Sequence, residues 1–136
     1  MLKDRVSKAK ETIMGKGACR FCGQIAQFKA LEEFNENELD ELATELCECD
    51  GAITYTREKD RRERAHQRIN ELFADEDNMT EERMTYIHGA VEPVMDGTLE
   101  KVAVTLASTI KAEIALTAKG NVKITKIKKE QSGAEV

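Results

Sequence analysis

The stretch Lys101–Lys129, KVAVTLASTIKAEIALTAKGNVKITKIKK, decides the fold class. Val102, Val104 and Leu106 alternate with Ala and Thr; Ile110, Ala112, Ile114 and Leu116 alternate with Lys, Glu, Ala and Thr; Val122 and Ile124 alternate with Lys and Thr. Period two with β-branched enrichment marks strands that turn one face to a core and the other to water. Ser108-Thr109 and Lys119-Gly120 supply tight turns between the runs. The segment 97–129 therefore predicts a three-stranded antiparallel meander. Its first strand is the least sharply specified, because Leu99, Val102, Ala103 and Leu106 also fit a helical spacing. Residues 130–136 are polar and read as a flexible tail.

Upstream of Gly97 the period is helical. Met84, Ile87, His88, Val91 and Val94 form one stripe, capped at Asn78 with Glu81 and bent or ended by Pro93. A longer helix is predicted from Ala52 to Ala74, with Ala65, Ile69, Leu72 and Phe73 on one side and Glu58–Arg62 and Asp60–Arg64 pairs on its charged surface. Leu39, Leu42, Ala43 and Leu46 share a face of a helix that starts with an Asn35/Glu38 capping box. That helix delivers Cys47 at its last turn and stops at Asp50-Gly51. Residues 2–14 read as a short Lys-rich helix, and Gly15–Gln24 as a glycine-punctuated loop. The whole reads as one α+β domain: a four-cysteine segment (1–51), a helical segment (52–95) and the meander, with zinc-stapled helices packed on the sheet.

The core must be thin. Only 4% of the 136 residues are aromatic and none is Trp, so a cross-link would add much to its stability. The N-terminus has no apolar h-region, and no apolar run approaches the ~20 residues that cross a bilayer. A soluble, cytoplasmic protein is expected. In that compartment clustered cysteines hold metal more often than they form disulfides.

The cysteines fall in two close pairs, Cys19 and Cys22 in GACRFCGQ and Cys47 and Cys49 in ELCECDG. A C-x-x-C turn followed by Gly23 aims two thiolates at one centre, and the second pair completes a tetrahedron. Four cysteines with no fifth ligand describe a closed structural site for one zinc ion. Iron ranks second and thiol redox third. Lys16, Arg20 and Arg57 are placed to offset the negative charge of a tetrathiolate.

A net charge of −5 excludes a surface devoted wholly to nucleic acid, yet the charge is uneven. Glu32–Asp50 holds nine acids and no base, whereas Lys119–Lys129 holds five lysines and no acid. Arg57, Arg61, Arg64 and Arg68 recur at helical spacing within a sector of roughly 60°. They suit a line of phosphates or an acidic protein surface; a solvated face balanced by neighbouring carboxylates is the plainer account. Aromatics for base stacking are absent around them apart from Tyr55. His66 lies on the polar side of its helix and His88 on the apolar stripe of the next, where a hydrogen-bonded core or edge histidine is expected rather than a catalytic base. With no nucleophile–histidine motif and no phosphate-cradling loop, an enzyme is not expected.

The pieces CRFCGQ, DELATELCECDGA and EIALTAKGNVKITKIKK give the chain a likeness to a group of small proteins. It resembles uncharacterised four-cysteine proteins from phages and prophages of Gram-positive bacteria. The resemblance implies zinc at Cys19, Cys22, Cys47 and Cys49 and a mobile-element origin, and it supplies no activity. The expectation is a non-enzymatic interaction protein that binds and modulates a bacterial or phage protein, a defence nuclease among the candidates. The alternative is a nucleic-acid-associated regulator using the arginine stripe. An edge of the sheet and the charged helix each offer a surface for a homodimer.

Overall fold

The computed structural model describes residues 1–77, 79–107 and 109–128. The elements follow in the order α1 (Leu2–Lys8), β1 (Ile13–Ala18), β2 (Ile25–Ala30), α2 (Glu36–Leu46), α3 (Asp50–Phe73), α4 (Glu81–Gly89), α5 (Val91–Met95), β3 (Lys101–Ala107), β4 (Ile110–Leu116) and β5 (Val122–Lys128). The α+β reading holds, and the C-terminal meander is present with strand order β3-β4-β5. Two compact units divide the chain, Met1–Asp60 and Arg61–Val136, with the boundary inside α3.

The first unit differs from its sequence reading. Residues 2–14 are not one helix and Gly15–Ala18 are not loop: α1 stops at Lys8, and β1 pairs antiparallel with β2 around the C-x-x-C turn. Gly15 and Gly17 belong to this hairpin because α2 lies against it. A Cβ on Gly17 would come 2.4 Å from the Leu39 carbonyl oxygen, and one on Gly15 would come 2.7 Å from Ala30 Cβ. The strand therefore gives up the side chains that would have announced it. The Asn35/Glu38 capping box forms as expected, Asn35 Oδ1 accepting from Glu38 N at 2.8 Å. Of the predicted apolar stripe, Leu42 and Ala43 are buried and Leu39 half-buried, but Leu46 is 49% exposed. Phe28, Ala30 and Phe34 complete a small core with Leu42 and Ala43. Asp50 and Gly51, read as a stop, instead open α3.

The second unit follows its pattern closely. Ala65, Ile69 and Phe73 of α3 meet Ile87, Val91 and Val94, and all six pack with Leu106, Ile110, Ala112, Ile114 and Ile124 on the inner face of the sheet. The predicted cap at Asn78 lies outside the described residues; Thr80 caps α4, its side chain accepting from Arg83 N. The stripe divides into α4 and α5 rather than continuing, and Pro93 explains the break. It has no N–H to donate to the Gly89 carbonyl, where the helical ladder is interrupted. Beyond the helices, Lys126 and Lys128 of β5 reach Glu76 at 2.6 and 3.7 Å.

Candidate metal centre

Local backbone chemistry brings the four cysteines together. Cys19 N donates to the Gln24 carbonyl and Gly23 N to the Cys19 carbonyl, closing the turn; Gly23 takes φ +74°, a conformation that favours glycine. Cys22 is thereby set opposite Cys19. The second pair comes from the junction of α2 and α3. Cys47 caps the C-terminus of α2, and Cys49 precedes α3 with its Sγ accepting from Ala52 N at 3.4 Å, as an N-cap side chain does.

The four Sγ atoms all lie within 4.8 Å of one another. Cys19 and Cys49 are 3.8 Å apart and Cys22 and Cys47 3.6 Å apart, and none of the four is in a disulfide. Four sulfurs about 2.3 Å from one tetrahedral ion would be separated by ~3.8 Å, so the cluster has the spacing a metal requires. Among the described residues no other group of His, Cys, Asp and Glu side chains converges in this way.

The surroundings favour a thiolate at Cys19 and oppose one at Cys47. Burial pushes the Cys19 thiol up; backbone N–H groups of Cys22 and Phe21, with the neighbouring thiols, outweigh it and bring its pKa to about 6. The Cys49 backbone N–H favours a Cys47 thiolate, but the competing Cys22 sulfur, burial and the other two thiols raise its pKa to about 11. Without a cation to share, four sulfurs at this spacing cannot all be charged. A divalent cation would remove that conflict. Burial is graded as well: Cys19 is buried, Cys47 and Cys49 are intermediate and Cys22 is exposed.

A hydrogen-bond frame holds the turn to α2. Ala18 N donates to Asp40 at 3.0 Å, and Arg20 N to Thr44 Oγ1 at 3.1 Å. Arg20, expected to offset thiolate charge, is instead engaged by Glu41 at 2.6 Å and the Asn37 carbonyl. Glu41 also accepts from Tyr55 and Lys59. Burial would raise its pKa, but those bonds and the Lys59 charge hold it below the ordinary 4.5. Glu45 has no exposed side-chain surface and accepts from Lys59 and from the first amides of α1, Leu2 N and Lys3 N. No sequence pattern marked Glu45 as a buried acid; it belonged to the acidic run of α2.

All four predicted arginines lie on α3. Arg61, Arg64 and Arg68 line a shallow cavity of about 420 Å³ with Asn121 of the β4–β5 turn. Arg68 is paired with Glu71, whereas Arg61 has no ion-pair partner among the described residues. His66 and His88 meet, Nδ1 to Nδ1 at 2.7 Å, and His88 Nε2 reaches Asn70 Oδ1 at 2.9 Å, so His88 has the hydrogen-bonded setting expected of it.

No family model, curated protein or solved structure matches the chain. Among the described residues, no helix is long and apolar enough to cross a membrane.

Proposed function

We propose that this chain is a non-enzymatic binding module whose N-terminal unit is held together by one structural zinc ion on Cys19, Cys22, Cys47 and Cys49. The convergence of four sulfurs within 4.8 Å carries this reading. A tetrathiolate fills the tetrahedron, so the ion would have no open position for substrate and would stabilise the fold rather than react. The ligand set suits zinc first and iron second. Around it the unit leaves Met14, Phe21, Ile25, Leu46 and Ile53 exposed, an unusual number of apolar side chains for so acidic a segment. They support a role in occupying a protein partner. The resemblance to four-cysteine phage proteins supports a host or phage protein as that partner.

Elemental analysis of protein prepared without chelator is expected to find one zinc per chain, and Cys22→Ser with Cys47→Ser to lose it. Four reactive thiols and no metal would reject the centre. Affinity capture from host cells is expected to recover one stoichiometric protein, and capture of none from infected and uninfected cells would reject the partner.

Arg61, which has no ion-pair partner among the described residues and lies beside the β4–β5 turn, favours a second reading, a regulator that contacts phosphates. Binding of DNA or RNA would then fall steeply between low and moderate salt and vanish in Arg61→Glu/Arg64→Glu. Absence of any mobility shift at low salt would discard it.

A further inference from the structure

α2 packs chiefly on β1, where Gly15 and Gly17 admit it, and leaves the inner face of β2 only partly covered. The uncovered strip is a groove. One cavity of about 510 Å³ has Phe28, Leu42 and Leu46 at its floor and Lys3, Lys10 and Lys29 around it. A second, of about 300 Å³, continues past Phe28 and Leu46 along Ala26 towards Glu48. Sharing two residues, the cavities form one elongated track, a shape suited to a linear segment more than to a compact molecule.

Two further observations say what fits. The first is charge. Residues 1–60 carry thirteen acids against nine Lys and Arg, yet the larger cavity is lined by three lysines and no acid. All three lysines are exposed, and none has an ion-pair partner among the described residues. The second is the backbone. Cys19 N donates to the Gln24 carbonyl, and with the antiparallel register this makes Gly17–Ala26, Gly15–Phe28 and Ile13–Ala30 the hydrogen-bonded pairs. The N–H and C=O groups of Ile25, Gln27 and Lys29 therefore point to the open edge of the two-stranded sheet, and no hydrogen bond among the described residues engages them.

We propose that this groove docks an extended acidic peptide segment, which adds as a strand to the open edge of β2. Its backbone pairs with Ile25, Gln27 and Lys29, alternate apolar side chains descend onto the exposed Ala26 and Leu46 beside the buried Phe28 and Leu42, and its carboxylates lie at Lys3, Lys10 and Lys29. Glu48 at the far end disfavours acid there, which gives the segment a direction. The inference rests on the partner-binding reading and gives that partner a chemistry.

The test uses the full zinc-loaded chain and a displayed library of random 12-residue peptides. Selected peptides are expected to combine Asp or Glu with alternating apolar residues. A fluorescein-labelled winner should bind at least tenfold more weakly to Lys3→Glu/Lys29→Glu and to Leu46→Asp, with zinc content and circular dichroism unchanged, since all three positions are exposed. Amide exchange at Ile25, Gln27 and Lys29 should slow on binding. Peptides without an acidic excess, unchanged affinity in the charge-reversed variant, or unchanged exchange at those three amides would overturn the proposal. So would selection of no peptide alongside saturable binding of dodecanoate, or a self-association that Lys29→Glu abolishes. If that variant captures the same host protein as the wild type, the groove is wrong and the partner reading stands. If peptides behave as expected but no host protein is captured, the groove stands and the host partner falls.

Discussion

His66 and His88 bring their Nδ1 atoms within 2.7 Å, a hydrogen bond in which one ring donates and the other accepts. His88 Nε2 donates to Asn70 Oδ1, so the Nδ1 of a neutral His88 is an acceptor and His66 Nδ1 is the donor. Protonating both rings would set N–H against N–H. Burial and the charge of His66 accordingly hold the pKa of His88 below the ordinary 6.5. The unfolded chain then binds the proton more readily. The contribution to stability is complete above pH 6.5 and declines as the pH falls from there towards the lower folded value. Thermal melts at pH 7.5 and 5.5 should show the wild type losing stability over that interval and His88→Gln losing less; equal losses would remove the pair from the account. Glu41 acts in the same direction at lower pH. Its folded pKa lies below 4.5, so its contribution is complete above that value and is lost as the pH drops beneath it. Glu45 has a different part: its side chain is fully buried, and it holds the N-terminus of α1 as well as Lys59. Glu45→Ala strands those donors and is expected to cost about 2–3 kcal/mol, less than the ~3–5 kcal/mol for a fully buried pair because Lys59 keeps some solvent. Urea denaturation measures it, and a change under 0.5 kcal/mol would show the acid to be incidental.

At the scale of elements, the approach of α2 to β1 is set by two missing side chains. A Cβ at Gly17 would meet backbone at 2.4 Å, which cannot swing aside, so Gly17→Ala should destabilise the first unit by roughly 1–3 kcal/mol. Gly89→Ala, on α4 with nothing near its Cβ, should be neutral or stabilising by up to about 1 kcal/mol. Chemical denaturation of the two variants compares them directly, and similar effects would mean that the contact is not tight. The same glycines explain what the sequence hid. β3, β4 and β5 were legible because their cores are built from side chains, which leave a period of two. β1 replaces side chains with backbone contact, so Gly15 and Gly17 read as loop punctuation. The cysteine cluster was legible because ligand type and spacing are covalent properties of the chain. Leu46 misled for the opposite reason: its place in the stripe was right, but while Ala43, Thr44 and Glu45 of the last turn of α2 are buried, Leu46 itself is left 49% exposed.

Across the whole molecule the two units are unequally provided. Five buried apolar residues make the core of the first, against twelve in the second. With so few, the first would gain most from a cross-link, and the binding free energy of a metal held by the four cysteines would be folding free energy. A chelator is therefore expected to raise amide exchange through residues 13–46 and to leave Ile69, Ile87, Ile114 and Ile124 protected. Uniform loss of protection would show the chain to unfold as one cooperative block, and no loss would show the cysteines to be idle. Function was less legible than fold, because a binding surface leaves no periodic trace. The arginine stripe stood out in the sequence by its spacing, whereas Lys3, Lys10 and Lys29 are scattered and meet only when α1 and β2 come together.

The gradient from buried Cys19 to exposed Cys22 bears on how an ion would leave. Cys22 is the one fully exposed ligand of the four, so a chelator would reach a bound ion there first, and exchange would pass through a partly dissociated state still held by the buried Cys19. The exchange rate should rise with chelator concentration rather than follow global unfolding, and iodoacetamide should alkylate Cys22 first. An ion that the equilibrium holds tightly would then still turn over quickly, making the unit responsive to the metal supply around it.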